Sequence, residues 1–278
     1  KDCPASGDDG GDEATSHGVP RTAPLTCCAC PSTPRAAHCA AQVAIAVAAA
    51  SLRAAARPAS AAAATPIATP RSTMIHDFQI TETDAIFWDL PVVFDLDLAI
   101  QYINDPLAGV MPYQWKPEFG SRIGVMPLAG GADRIQWFDI DPCYVFHSVN
   151  AFRRGDEVIV DVCRMTSMFD TAVNDSLGGE PSLRRWTLNT ATGAVADDVL
   201  ETVNPGDLPS RDPRRVGREH RFGYLTGTRE NAHTVELGAV IKHDFASGAR
   251  DVWEPGPTRH ATEPLFVPGD ATDLSDDA

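Results

Sequence analysis

Aromatic side chains enter this 278-residue chain only at Phe78, and from there they recur as far as Phe266. A packed core needs large apolar side chains, so the sharpest boundary in the sequence, near residue 72, also limits where a fold can form. Before it there is no Phe, Trp, Tyr or Asn, and residues 1–70 are largely Ala, Pro, Ser, Thr, Arg and Gly with scattered Asp. Such a segment buries too little apolar surface to offset the entropy of ordering it. Residues 1–70 are therefore expected to be a low-complexity segment, disordered or out of frame. A GC-rich gene read in the wrong frame yields this same composition, and one uninterrupted native frame at the locus rules that origin out. The Ala-rich run 40–64 favours transient helix, since Ala has the best helix propensity, and Pro58, Pro66 and Pro70 punctuate its end. The folded domain is expected over 71–278.

The formal net charge of −15 argues against a surface that tracks phosphates, so no nucleic-acid partner is expected. The same charge repels an anionic membrane surface unless a local patch overrides it. No run of about 18 apolar residues appears, and the longest candidate, 36–52, is mostly Ala and is interrupted by His38 and Gln42, so no transmembrane segment is expected. The Asp-rich opening is the opposite of a basic secretory n-region. Five cysteines (Cys3, Cys27, Cys28, Cys30 and Cys39) crowd the first forty residues, while Cys143 and Cys163 stand alone. No second spaced pair completes a zinc set around Cys27, Cys28 and Cys30. The expected setting is reduced and cytoplasmic, with peripheral membrane contact where a local apolar patch permits it.

From Ser72 onward, short apolar runs bounded by Gly, Pro and Asp give the signature of strands. Residues 73–80 alternate, which puts Met74, His76, Phe78 and Ile80 on one face and Ile75, Asp77 and Gln79 on the other. Further strands are predicted at 85–90, 92–94, 121–126, 134–138, 144–152, 157–162, 183–188, 195–203, 220–224, 234–243 and 250–253, with one short helix over 96–102. Arg153-Arg154-Gly155-Asp156 reads as a hairpin turn. Many short strands with turn residues between them mean an all-β fold. An internal echo, Ala191-Thr192-Gly193-Ala194 and Ala246-Ser247-Gly248-Ala249, sits near the repeat of roughly 40–50 residues that propeller blades give.

Two histidines lie inside apolar segments: His76 between Met74 and Phe78, and His147 between Val145 and Val149. A lone histidine so placed is more often a satisfied core residue. Two are more suggestive, because burial keeps imidazole neutral and neutral imidazole is the commonest metal ligand. His220, in Arg218-Glu219-His220-Arg221-Phe222, reads as a surface residue, and Arg211-Asp212-Pro213-Arg214-Arg215 as a solvated loop. The acidic tail 270–277 reads as disordered.

The segment Met74-Ile75-His76-Asp77-Phe78-Gln79-Ile80-Thr81-Glu82 resembles the M-I-H-D-F-x-x-T-E motif of the carotenoid cleavage oxygenases, which include apocarotenoid and stilbene cleavers. Phe146-His147-Ser148-Val149-Asn150-Ala151 is similar to their F-H-x-x-N-A. Arg122-Ile123-Gly124-Val125-Met126-Pro127 is similar to R-x-G-V-x-P, and Glu263-Pro264-Leu265-Phe266-Val267-Pro268 to E-P-x-F-V-P. The four stand in family order. The resemblance implies an incomplete seven-bladed β-propeller with Fe(2+) on its axis, held by four histidines with three outer glutamates. It makes His76 and His147 two of the iron ligands and Glu263 an outer carboxylate that orients a ligating ring through its N–H. It implies oxidative cleavage of a C=C bond in a hydrophobic polyene or stilbene by O2, with Phe78, Phe146 and Phe152 as tunnel-lining candidates. The family's first ligand has only Ala37-His38-Cys39 as a counterpart, and no histidine follows His260 where the fourth would stand. The alternative is therefore an inactive fragment lacking two of the four ligands, its leader a lost frame and its end a truncation.

Overall fold

Three four-stranded antiparallel sheets carry the domain in the computed structural model, which describes residues 42–45, 65–170, 178–228, 237–269 and 275. Most of the 1–70 segment and of the acidic tail lie outside the described residues. Two short strands, β1 (Gln42–Ile45) and β2 (Thr65–Ala68), pair with each other, so the helical expectation for 40–64 gives way at 42–45 to strand pairing.

The first large sheet has the order β3-β4-β7-β8, from β3 (Gln79–Ile80), β4 (Asp84–Asp89), β7 (Ser121–Pro127) and β8 (Gln136–Ile140). Between β4 and β7 the chain forms the small ladder β5 (Val92–Phe94) with β6 (Tyr113–Trp115), joined through α1 (Leu96–Asn104). Asp95 caps α1 by accepting from the N–H groups of Asp97 and Leu98, which satisfies donors the first turn leaves free. Among the described residues no helix is long and apolar enough to cross a membrane. The second sheet takes β9 (Tyr144–Arg154), β10 (Glu157–Met165), β11 (Pro181–Asn189) and β12 (Val195–Glu201) in sequence order. The third takes β13 (Asp207–Ser210), β14 (Phe222–Thr228), β15 (Leu237–Asp244) and β16 (Arg250–Trp253) in the same way.

Strands β9 and β10 of the middle sheet are buried on both faces, which explains why they read as nearly continuous apolar runs. Toward the first sheet, Val158, Val160, Val162, Trp186 and Leu188 pack with Ile86, Trp88, Ile123 and Phe138. Toward the third, Val149, Cys163 and Leu183 pack with Leu225 and Ile241. The motif glycine Gly124 is required by this packing, because a Cβ there would sit 2.6 Å from the Phe87 ring and 3.1 Å from Trp137. The predicted hairpin closes β9 onto β10 with Arg154 opposite Glu157 and Gly155 at φ +62°. The echoed turns join the third and fourth strands of successive sheets. In each, the glycine N–H (Gly193, Gly248) bonds back to the residue before the turn (Asn189, Asp244).

One predicted strand is corrected. Within 73–80 only Gln79–Ile80 is ladder, and Thr73 forms an isolated bridge to Val93. The stretch between them forms no ladder, because Asp77 bonds through its side chain to the backbone of β9 instead.

Candidate metal centre

A β-bulge places His147. In the β9–β10 ladder Val145 faces Arg164 and Ser148 faces Val162, so Phe146 and His147 together oppose Cys163 alone. A bulge of two residues against one bends the strand and re-aims side chains. It also breaks the alternation that sequence reading gives His147 with Val145 and Val149. The irregular segment before β3 binds the backbone laid open there. Ser148 donates its N–H to Asp77 Oδ2 at 2.9 Å, and Gln79 Nε2 donates to the carbonyl and the hydroxyl of Ser148 at 3.2 and 2.7 Å. The supposed back face of 73–80, Asp77 and Gln79, is thus what attaches His76 to β9.

The two imidazoles meet. Their ring centroids are 4.9 Å apart with planes at 83°. His76 Nδ1 lies 3.2 Å from the Phe146 carbonyl, and His147 Nδ1 lies 3.0 Å from Asp207 Oδ1. A carbonyl and a carboxylate can only accept, so each ring carries its proton on Nδ1 and leaves Nε2 as the free lone pair. That is the tautomer a metal ligand needs, fixed by an outer partner. With a metal–nitrogen bond of about 2.1 Å, two imidazoles at right angles on one ion have centroids roughly 4.6 Å apart. The observed separation is close to that value, as it is to an ordinary edge-to-face ring contact, and neutral imidazole donors suit divalent iron.

Asp207 stands at the head of β13, where Leu208 adopts φ +49°, a costly conformation for a bulky residue. The Leu208 N–H donates to the same Asp207 oxygen that holds His147. The Asp207 hydrogen bond raises the pKa of His147, against the opposing effect of burial. Sequence reading missed Asp207, since nothing in Asn204-Pro205-Gly206-Asp207-Leu208 separates it from an ordinary turn carboxylate.

The histidines open into a cavity of about 400 Å³ whose walls include Phe78, Val216, Arg211 and Glu263. Glu263 is exposed and lines the cavity, and neither histidine's Nδ1 hydrogen-bonds to it. Among the described residues no third His, Cys, Asp or Glu joins the pair in a metal-binding group. His38 lies outside the described residues. Of the three tunnel-lining candidates only Phe78 lines the cavity: Phe146 packs edge-on against His76 at 5.3 Å, and Phe152 is 2% exposed in the core.

His220 corrects a sequence expectation. Its side chain is 1% exposed, beside the fully buried Asp161. Asn150 Nδ2 lies 3.2 Å from His220 Nδ1, and burial takes the ring's pKa down to about 3, which leaves it neutral. Asp161, held by two bonds from Arg185, stands 3.4 Å from His220 Nε2 without a hydrogen bond, so it does not charge the ring. Asn150 donates to the carbonyls of Arg215 and Arg218 and accepts from the Gly217 N–H. The Asn of the F-H-x-x-N-A segment thereby fixes the loop that walls the cavity.

The family model described as retinal pigment epithelial membrane protein, RPE65, matches residues 34–278. The carotenoid cleavage oxygenase of Mycobacterium tuberculosis is 35% identical over 248 residues, covering 74% of this chain and 49% of the relative. A carotenoid 9,10(9′,10′)-cleavage dioxygenase of Crocus sativus is 30% identical over 216 residues, covering 71% of this chain and 38% of the relative. The solved structure of cobalt-substituted Synechocystis ACO superposes with a TM-score of 0.65 at 25% identity, over 77% of this chain and 45% of that one. The chain spans about half the length, or less, of the relatives it matches.

Proposed function

Because this chain belongs to the RPE65 and carotenoid cleavage oxygenase family, we propose that His76 and His147 are two ligands of a ferrous iron in an oxygenase that splits a C=C bond with O2. The observation that carries this is the pair of rings 4.9 Å apart, each with Nδ1 engaged by a fixed acceptor. The substrate class is a carotenoid, apocarotenoid or stilbene, and the products are two carbonyl compounds. Bound iron supplies the redox chemistry that lets ground-state O2 react with an alkene.

The chain's own residues have separable tasks. The Phe146 carbonyl and Asp207 hold the Nδ1 protons and so direct both Nε2 lone pairs outward. Asp77 and Gln79 fix the distance between the two histidine segments. Phe78 and Val216 give the cavity apolar wall for a polyene and limit water near the reacting bond. Glu263 adds negative charge to the cavity rim and takes the outer-carboxylate role toward a ligand beyond the described residues. The three four-stranded sheets are read as blades of a seven-bladed propeller, a reading supported by the equivalent third-to-fourth-strand turns at 191–194 and 246–249.

A second reading has one observation in its favour: only two ligand-type side chains converge among the described residues, so this chain holds iron weakly and is catalytically inert. Anaerobic loading with ferrous iron followed by elemental analysis separates the readings. Iron near one equivalent, lost in His76→Ala and in His147→Ala, supports the shared centre. Iron content indifferent to both substitutions contradicts it, and no retained iron in the unaltered chain favours the inert fragment.

A further inference from the structure

The cavity wall contains an arginine that, among the described residues, leaves a buried nitrogen without a hydrogen bond, with Asp77 as its nearby counter-charge. Arg211 follows β13 in the loop that Asn150 anchors, and its Nε is buried with no hydrogen bond. Asp77 lends Arg211 its charge, but no carboxylate among the described residues hydrogen-bonds the Arg211 Nε. Asp77 receives the Ser148 N–H and hydroxyl on one oxygen and the Phe78 N–H on the other. Asp212 is occupied by the N–H and the guanidinium of Arg214. A buried guanidinium nitrogen without an acceptor is costly, and such groups persist where a ligand completes them. The planar fork of arginine matches a carboxylate with two parallel bonds.

We propose that Arg211 reads a carboxylate terminus on the ligand of this cavity, so that the preferred substrate is an acidic polyene or stilbene rather than a neutral hydrocarbon. This rests on the reading of the cavity as the substrate site beside the iron. The sequence, which presents Arg211 within a run of charged residues, gives no hint of it. The competing partner is Glu263, which lines the same cavity and would leave nothing for a ligand to complete.

The test titrates the full chain with trans-stilbene-4-carboxylate and with neutral trans-stilbene, following tryptophan fluorescence, for the unaltered protein, Arg211→Gln and Arg211→Lys. Iron content is measured on the same samples. The carboxylate is expected to bind roughly 10- to 100-fold more tightly than the neutral probe, the range of one charge-assisted hydrogen-bonded pair. Arg211→Gln should erase that difference while the affinity for neutral stilbene stays unchanged, which also reports an intact fold. Arg211→Lys should keep part of it, since the charge remains and the fork is lost. Equal affinities in the unaltered protein, or a preference that survives Arg211→Gln, overturn the proposal. Iron retained in Arg211→Gln with the preference gone separates this inference from the metal reading, which stands or falls on the histidine variants.

Discussion

Asp207 determines what His147 can do. Its carboxylate holds the ring N–H at 3.0 Å and raises the ring's pKa above the ordinary 6.5. A raised histidine pKa means the folded state favours the proton. The stability gained from the pair is complete below the unfolded value and fades as pH rises through the higher folded value. A metal needs the neutral ring, so metal affinity should climb with pH across that same interval. Asp207→Asn should return the His147 titration, followed by proton NMR on the metal-free chain, toward 6.5, and should weaken metal binding by about 10- to 100-fold, the usual cost of losing an outer partner. An unmoved titration would show that Asp207 does not hold the ring in solution. His220 is the opposite case: neutral at every pH above about 3, it serves packing and the Asn150 network.

At the scale of elements, the site is a repair of a damaged ladder. The bulge at Phe146 and His147 exposes backbone groups of β9, and they are satisfied by His76 and Asp77 from the segment before β3 and by Gln79 at its start. If the two segments are held this way, Asp77→Ala and Ser148→Ala should be strongly non-additive in urea unfolding. A coupling of about 1–3 kcal/mol is expected for a hydrogen-bonded charged acceptor lost from a partly buried site. Simple additivity would contradict the clamp. The bulge also explains what sequence reading could and could not supply. Strands at 84–89, 144–154 and 157–165 were legible because their apolar runs have both faces to bury. Alternation over 73–80 was misread as ladder because period two marks extended backbone, whether strand neighbours or side chains satisfy it.

At the scale of the whole molecule, the three large sheets among the described residues all lie after the aromatic boundary near residue 72. The family match nevertheless begins at residue 34, inside the segment that composition set apart, and β1 lies there too. Composition sees how much apolar surface a segment can bury and is blind to a short strand that borrows a partner, as 42–45 does from 65–68. His76 and His147 stood out as candidate ligands through the family motifs, and the structure brings their rings together. Their outer partners did not stand out, because Asp207 is 60 residues from His147 in sequence and the Phe146 carbonyl belongs to backbone that no motif specifies. The central claim is that these two distant segments present Nε2 to one ion. Proton NMR of the chain titrated with cobalt(II), the ion carried by a solved relative, tests it directly. Two hyperfine-shifted exchangeable N–H signals, one from each Nδ1, should rise together and saturate together at one equivalent. A single shifted signal, or two that saturate at different cobalt concentrations, would contradict a shared centre.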